Sequence, residues 1–144
     1  MAQQKVLILC TGNSCRSQMA EGILRSFARP GETEIFSAGT KPADKVNPLA
    51  VQVMAEEGID ISHHKPEQVE EFLGQSFDWV ITVCDHAKKT CPVFTGKVKN
   101  RLHIGYEDPA DATGTLEEQL EVYRKVRDQI REGFLRFYEE NLKT

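Results

Sequence analysis

Apolar positions along this chain alternate between two rhythms. Residues 5–9 (KVLIL) form an almost unbroken apolar run that reads as a buried strand. Beyond it, Met19, Ala20, Ile23, Leu24 and Phe27 are spaced by threes and fours. That is the stripe of an amphipathic helix entered at Ser17 and stopped before the breaker pair Pro30-Gly31. Residues 34–38 (EIFSA) read as a second strand. Pro48 opens a helix whose face continues through Leu49, Val53 and Met54 toward Gly58, a suitable C-terminal cap. After a turn and extended link at GIDISHH, Pro66 is placed to begin another helix over PEQVEEFL. Residues 78–83 (DWVITV) are a second core strand, and VKNRLHI is a weaker one. Finally Leu116, Leu120, Tyr123, Ile130, Phe134 and Phe137 step along one face of a long helix.

Strands alternating with helices predict an α/β fold with a parallel sheet covered on both faces. In open sheets of this kind, ligands bind beyond the carboxyl ends of the strands. Cys10 and Cys84 each stand just past a strand end, which makes them candidates for one shared site.

Composition narrows the function. A chain of 144 residues, 40% hydrophobic and 28% charged, is expected to form one domain over 1–144. A net charge of −4 argues against a nucleic-acid partner, which needs a basic footprint. No apolar run approaches the roughly 20 residues of a spanning helix, and the apolar stretch in MAQQKVLILCTGN is too short for a signal peptide. The expected compartment is the cytoplasm. There, four cysteines at 10, 15, 84 and 91 read as free, catalytic or metal-binding thiols rather than structural bridges. The C-x4-C and C-x6-C spacings match zinc knuckles poorly, and His63, His64, His86 and His103 are scattered, so no zinc site is expected.

The stretch ILCTGNSCRS carries the chemistry. Gly12 and Asn13 tolerate backbone angles that turn successive amides inward. Such a nest followed by a helix N-terminus cradles an anion. Arg16 adds a planar fork of donors suited to a tetrahedral oxyanion. A thiol at the base of that cradle is favoured as the thiolate, with Ser17 in reach to hydrogen-bond it. Cys10 is therefore the candidate nucleophile, and Thr11, Gly12, Asn13, Ser14, Cys15, Arg16 and Ser17 are the candidate substrate-binding residues. The plain alternative, a small buried thiol beside a surface arginine, does not account for the full C-x5-R-S pattern between strand and helix.

CTGNSCRS resembles the active-site loop of the low-molecular-weight protein tyrosine phosphatase superfamily, and SAGT, DIS-H and DPAD fit the same pattern over nearly the whole chain. The resemblance implies a flavodoxin-like three-layer sandwich with a four-stranded parallel sheet. It also implies Asp108 as general acid, a role Pro109 suits by stiffening the loop. Phosphatases of this family commonly carry an aromatic residue after Asp-Pro, where this chain has Ala110. VTVCDHAKKTCP instead resembles the redox segment of the thioredoxin-coupled arsenate reductases in the same superfamily. That class implies arsenate as substrate, Cys10, Cys84 and Cys91 as a disulfide relay, and thioredoxin as reductant, with glutaredoxin or mycothiol systems as alternatives. Weak phosphatase activity is expected, because phosphate and arsenate share charge and shape. A monomer is expected.

The relay makes a physical demand. Residues seven apart on a helix lie about 10.5 Å apart along its axis, whereas a disulfide needs Cα atoms within about 7 Å. If residues 85–90 are helical when reduced, they must unwind on oxidation, helped by Pro92. Lys88 and Lys89 are placed to favour thiolate at their neighbours, although solvated charge is the simpler reading. Cys15 is expected to pack, and to be vulnerable to bonding with Cys10. No tightly bound cofactor is expected. Some relatives hold a potassium ion, and Asn13, Glu21 and Ser37 match its residue types, with a further acidic position near Glu67; the alternative is that Asn13 simply locks the loop. Two other functions stay open: a phosphotyrosine phosphatase, and a redox sensor that binds oxyanions without turnover.

Overall fold

The computed structural model describes residues 4–29, 31–84 and 94–143. Strand β1 (Gln4–Cys10) lies inside the sheet, flanked by β2 (Thr33–Gly39) and β3 (Ser76–Thr82), with β4 (Lys97–His103) beyond β3. The order is β2-β1-β3-β4, and every pairing is parallel. Helix α1 (Arg16–Phe27) follows β1, α2 (Pro48–Ala55) follows β2, and α3 (Leu116–Phe137) closes the fold. Val6, Leu7, Ile8 and Leu9 are all fully buried, the unbroken apolar run of a strand covered on both faces. By contrast β4 is the outer strand and is largely exposed, so its weak apolar signal follows from its place at the edge.

Successive β1 side chains feed two cores. Val6 and Ile8 join Met19, Ile23, Val53, Tyr123, Ile130 and Phe134, so this core draws on all three α-helices. Leu7 and Leu9 pack with Phe72, Phe77, Val80 and Phe94 on the other side. Burying each large apolar side chain stabilises by about 1.5–3 kcal/mol.

Two expectations from the sequence need correction. No helix starts at Pro66: the stretch contains only a 3-10 turn at Val69–Phe72. Gly39 donates its N–H to Glu67 O at 2.9 Å, and Gly39 bridges in parallel with Gln68. Residues 67–68 are thereby held extended alongside the end of β2, where a helix cannot begin. Leu116 does not reach the core either; it is 61% exposed. It occupies the first position of α3, just past a capping box in which the Thr115 hydroxyl accepts from Glu118 N–H and the Glu118 carboxylate accepts from Thr115 N–H. The other five stripe residues are buried. Helix α2 stops at Ala55, and Gly58 follows with φ +75°, its N–H donating to Ala55 O while Ile59 N–H donates to Met54 O. That is the closing geometry for which glycine is favoured. The segment 85–93, and with it the expected helix and redox unwinding, lies outside the described residues.

Candidate active site

Cys10 is the last residue of β1 and Arg16 the first of α1, so the loop 11–15 is pinned between a buried strand and a buried helix. Its carbonyls are committed outward: Thr11 O, Gly12 O and Ser14 O accept from the N–H groups of Lys41, Ala43 and Asn47 at 2.9–3.0 Å. Asn13 has φ +50°, the one positive value at a non-glycine among the described residues. A left-handed residue within such a turn directs neighbouring amides to one side, which makes an anion nest.

The Asn13 side chain holds that conformation. Its amide donates to Ser17 Oγ at 2.7 Å and Ser37 Oγ at 3.0 Å. Its Oδ1 accepts from Gln18 Nε2 at 3.0 Å and Glu67 N at 2.9 Å. Ser37 in turn donates to Glu21 Oε1 at 2.6 Å, and His64 Nδ1 donates to Gln18 Oε1 at 3.0 Å. Burial lowers the His64 pKa, against the pull of Glu21, which suits a neutral ring with its proton on Nδ1. The three potassium candidates Asn13, Glu21 and Ser37 are thus brought together. Their oxygens are hard donors, the right type for such an ion. Asn13 Oδ1 already accepts from Gln18 Nε2 and Glu67 N, and Ser37 Oγ from the Asn13 amide. As arranged, the residues form a polar network behind the loop. A cavity of about 420 Å³ lies against it, lined by Gln18, Glu21, Ser37, His64 and others but not by Cys10 or Arg16.

Arg16 faces the other way. Its Nη1 donates to Tyr106 O at 3.0 Å, and its Nη2 lies 3.5 Å from Asp108 Oδ2. Arg16 Nε is buried and has no protein acceptor. Asp108 arrives because the chain after β4 stays laced to the end of β3: Ile104 N–H donates to Thr82 O and Tyr106 N–H to Val83 O. Asp108 Oδ1 accepts from Ala110 N at 3.0 Å, capping the short turn Pro109–Asp111. Ala110 itself is exposed.

The thiols divide clearly. Cys10 and Cys15 are free and buried. Cys84 is also buried, just past the end of β3, and is disulfide-bonded. Val83 N–H donates to Leu9 O at 3.0 Å, extending the β1–β3 pairing, so that Cys10 and Cys84 stand at the ends of neighbouring strands. The Cys15 sulfur sits 3.8 Å from both Ser14 Oγ and Tyr123 Oη. Burial pushes its thiol up to about 11 despite those two hydrogen bonds. Cys91, Lys88, Lys89 and His86 lie outside the described residues. Among the described residues no group of three or more His, Cys, Asp or Glu side chains is placed to hold a metal ion.

Sequence reasoning missed four participants. Gln18 and His64 support the nest from behind. Gly39 lets β2 approach it, since a Cβ there would lie 2.4 Å from Thr11 O and 3.0 Å from Cys10 O. Tyr106 supplies the carbonyl that holds Arg16. Gln18 was visible as a polar residue on the apolar side of its helix, Gly39 and His64 fell within the SAGT and DIS-H motifs without their contacts being legible, and Tyr106 left no local signal.

A thiol-ended strand, a tight loop and a helix opening on a buried arginine that faces an aspartate make up the site. The chain matches the model of the low molecular weight phosphotyrosine protein phosphatase family over residues 5–144, and it belongs to that family. Within it, the chain is 47% identical to an arsenate reductase of Halalkalibacterium halodurans over 130 residues, 90% of this chain and 91% of that protein. Among solved structures, an arsenate reductase in a phosphate-binding state superposes with a TM-score of 0.79 at 31% identity, covering 98% of this chain and all of that one. A thioredoxin-dependent arsenate reductase of Corynebacterium glutamicum gives 0.63 at 27% identity, over 96% of this chain and 64% of that one. A low molecular weight protein tyrosine phosphatase from T. tengcongensis gives 0.73 at 30% identity, over 96% and 99%.

Proposed function

We propose that this protein is an arsenate reductase that stores its oxidising equivalents as a disulfide and returns them to a thioredoxin. The observation that carries the oxyanion reading is the buried Arg16 Nε, a guanidinium donor with no protein acceptor, at the helix end of the loop that begins at Cys10. A buried unpartnered cationic donor is costly, and a tetrahedral oxyanion held by the loop amides satisfies it.

The Cys10 thiolate attacks arsenic, forming an S–As bond, while Asp108 protonates the departing oxygen, which leaves as water. The Cys84 thiolate then attacks the Cys10 sulfur. The S–As bond breaks with its electron pair going to arsenic, which leaves as arsenite, and the two sulfurs are joined. The Cys91 thiolate attacks Cys84, releasing Cys10 as thiolate and leaving a Cys84–Cys91 disulfide. A dithiol such as thioredoxin reduces that bond by exchange. Two electrons are transferred per arsenate, all from cysteine sulfur. The adjacency of the β1 and β3 ends supports the first exchange, and a bonded Cys84 alongside a free Cys10 is the state the relay reaches after Cys10 is released. Such thiols need a reducing compartment, and the cytoplasm supplies one. Ala110 leaves no aromatic wall for a phosphotyrosine ring, so ester hydrolysis is a side activity in this reading.

The test is NADPH consumption with thioredoxin and thioredoxin reductase, with and without arsenate. Wild type should consume NADPH only with arsenate. Cys10→Ser should be inert, while Cys84→Ser and Cys91→Ser should lose steady-state turnover, with Cys91→Ser retaining one arsenite per enzyme. Arsenate-independent consumption, or full turnover by any of the three variants, contradicts the relay.

A further inference from the structure

We propose that Tyr106 is a positioning residue whose ring, seated against bare backbone at Gly133 of α3, fixes the carbonyl that orients Arg16 and, through Arg16, the Asp108 carboxylate. This rests on the oxyanion role given to Arg16 above.

Tyr106 joins three parts of the molecule. Its N–H is tied to Val83 O at 3.2 Å, its carbonyl accepts from Arg16 Nη1 at 3.0 Å, and its ring is buried in the core shared by the helices. Its hydroxyl is buried and has no hydrogen-bond partner. That oxygen is therefore not placed for bonding; it fills space. The space exists because position 133 has no side chain: a Cβ there would lie 2.3 Å from Tyr106 Oη, while the next contacts, Ile104 Cγ2 at 3.5 Å and Tyr106 Cζ at 3.6 Å, are ordinary. Gly133 is the single glycine of α3, and glycine in mid-helix weakens a helix. One oxygen atom thus accounts for the glycine, and the pair forms a lock: whatever displaces the ring moves a carbonyl on which the guanidinium hangs, and the guanidinium is what faces Asp108 at 3.5 Å.

A rescue experiment tests it. Gly133→Ala drives a methyl into Tyr106 Oη; Tyr106→Phe removes that oxygen and leaves the other neighbours at van der Waals distance. Calorimetric titration with inorganic phosphate should show binding weakened about tenfold in Gly133→Ala, with the KM for arsenate rising in parallel and more than kcat falls. The double variant Gly133→Ala/Tyr106→Phe should regain phosphate affinity to within about threefold of wild type. A helix-stability effect of alanine would not be undone by a change on a different loop. Wild-type phosphate affinity in a folded Gly133→Ala protein overturns the lock, as does a double variant no better than the single one. If Gly133→Ala does not fold, Tyr106→Leu takes its place, with the same loss of phosphate affinity expected and wild-type affinity overturning the lock. Absence of phosphate binding by the wild-type protein would instead overturn the oxyanion reading of Arg16 and the lock with it.

Discussion

The carboxylate of Asp108 is divided between Arg16 and its own loop: one oxygen lies 3.5 Å from the guanidinium, and the other accepts from Ala110 N. The two contacts aim the carboxylate at the space the guanidinium serves. Asp108→Asn keeps a side-chain oxygen to accept from Ala110 N–H but cannot deliver a proton. It is expected to lower kcat by about 10²- to 10⁴-fold, the usual contribution of a general acid. Phosphate affinity should hold or tighten, because a negative charge has been removed beside an anion site. Single-turnover arsenite release, measured with phosphate titration, checks this; a kcat close to wild type removes Asp108 from the chemistry.

Gly39 closes the gap between β2 and the loop by having no side chain. The added carbon of Gly39→Ala would meet main-chain oxygens of Thr11 and Cys10 at 2.4 and 3.0 Å. Backbone cannot rotate away as a side chain can, so the loop itself must shift. Overpacking of this kind costs about 1–3 kcal/mol, and here the displaced atoms belong to the anion nest. Urea unfolding should show a stability loss in that range, and phosphate binding should fall further than stability does. Unchanged affinity would mean that the nest tolerates movement.

Asn13 carries both a strained backbone and four side-chain bonds. Asn13→Ala leaves a non-glycine residue at φ +50° and deprives Ser17, Ser37, Gln18 and Glu67 of a partner. Each lost hydrogen bond is worth about 0.5–1.5 kcal/mol, so a total loss of about 2–6 kcal/mol is expected in chemical denaturation. Asn13→Gly relieves the backbone but not the bonds, and should fall between alanine and wild type. Equal stability for the alanine variant and wild type would show that Asn13 does not lock the loop.

What could be read from the chain was local chemistry, and what could not was distance. β1 announced itself because four consecutive apolar residues are needed where both faces are covered. The placement of Cys10, Arg16 and Asp108 was legible because a thiol at a strand end, an arginine at a helix start and an Asp-Pro turn each leave a short signature. The helix assigned from Pro66 fails for a non-local reason: Gly39, far back in the sequence, captures Glu67 O and holds the chain extended. Leu116 kept the helical period yet fell at the exposed first position of α3, because periodicity marks a face and not where that face meets the core. Tyr106 and Gly133 meet only after folding, so neither carried a signal; Gln18 and His64 stood out singly, but their contact could not be read from either.

Cys15 gives the chain a pH signature on the alkaline side. Burial raises its thiol from the ordinary 9.0 to about 11. The folded protein therefore holds this proton more tightly than the unfolded chain does. The associated stability is fully present below pH 9 and is lost as pH rises from 9 through 11, by up to about 3 kcal/mol for a shift of this size. Cys15→Ala has no such proton. At pH 7 the variant should be the less stable, since truncating a buried side chain leaves a void. Between pH 9 and 11 the gap should shrink and then reverse, and the change in the urea-derived stability difference between the two proteins isolates the single thiol from every group they share. The same raised thiol predicts that iodoacetamide at pH 7–8 modifies Cys15 of the native protein slowly, leaving Cys15 a poor competitor for the Cys10 sulfur during turnover. A stability gap independent of pH across this range would show that Cys15 titrates as an ordinary thiol, and the choice of Cys84 as resolving partner would then need another cause.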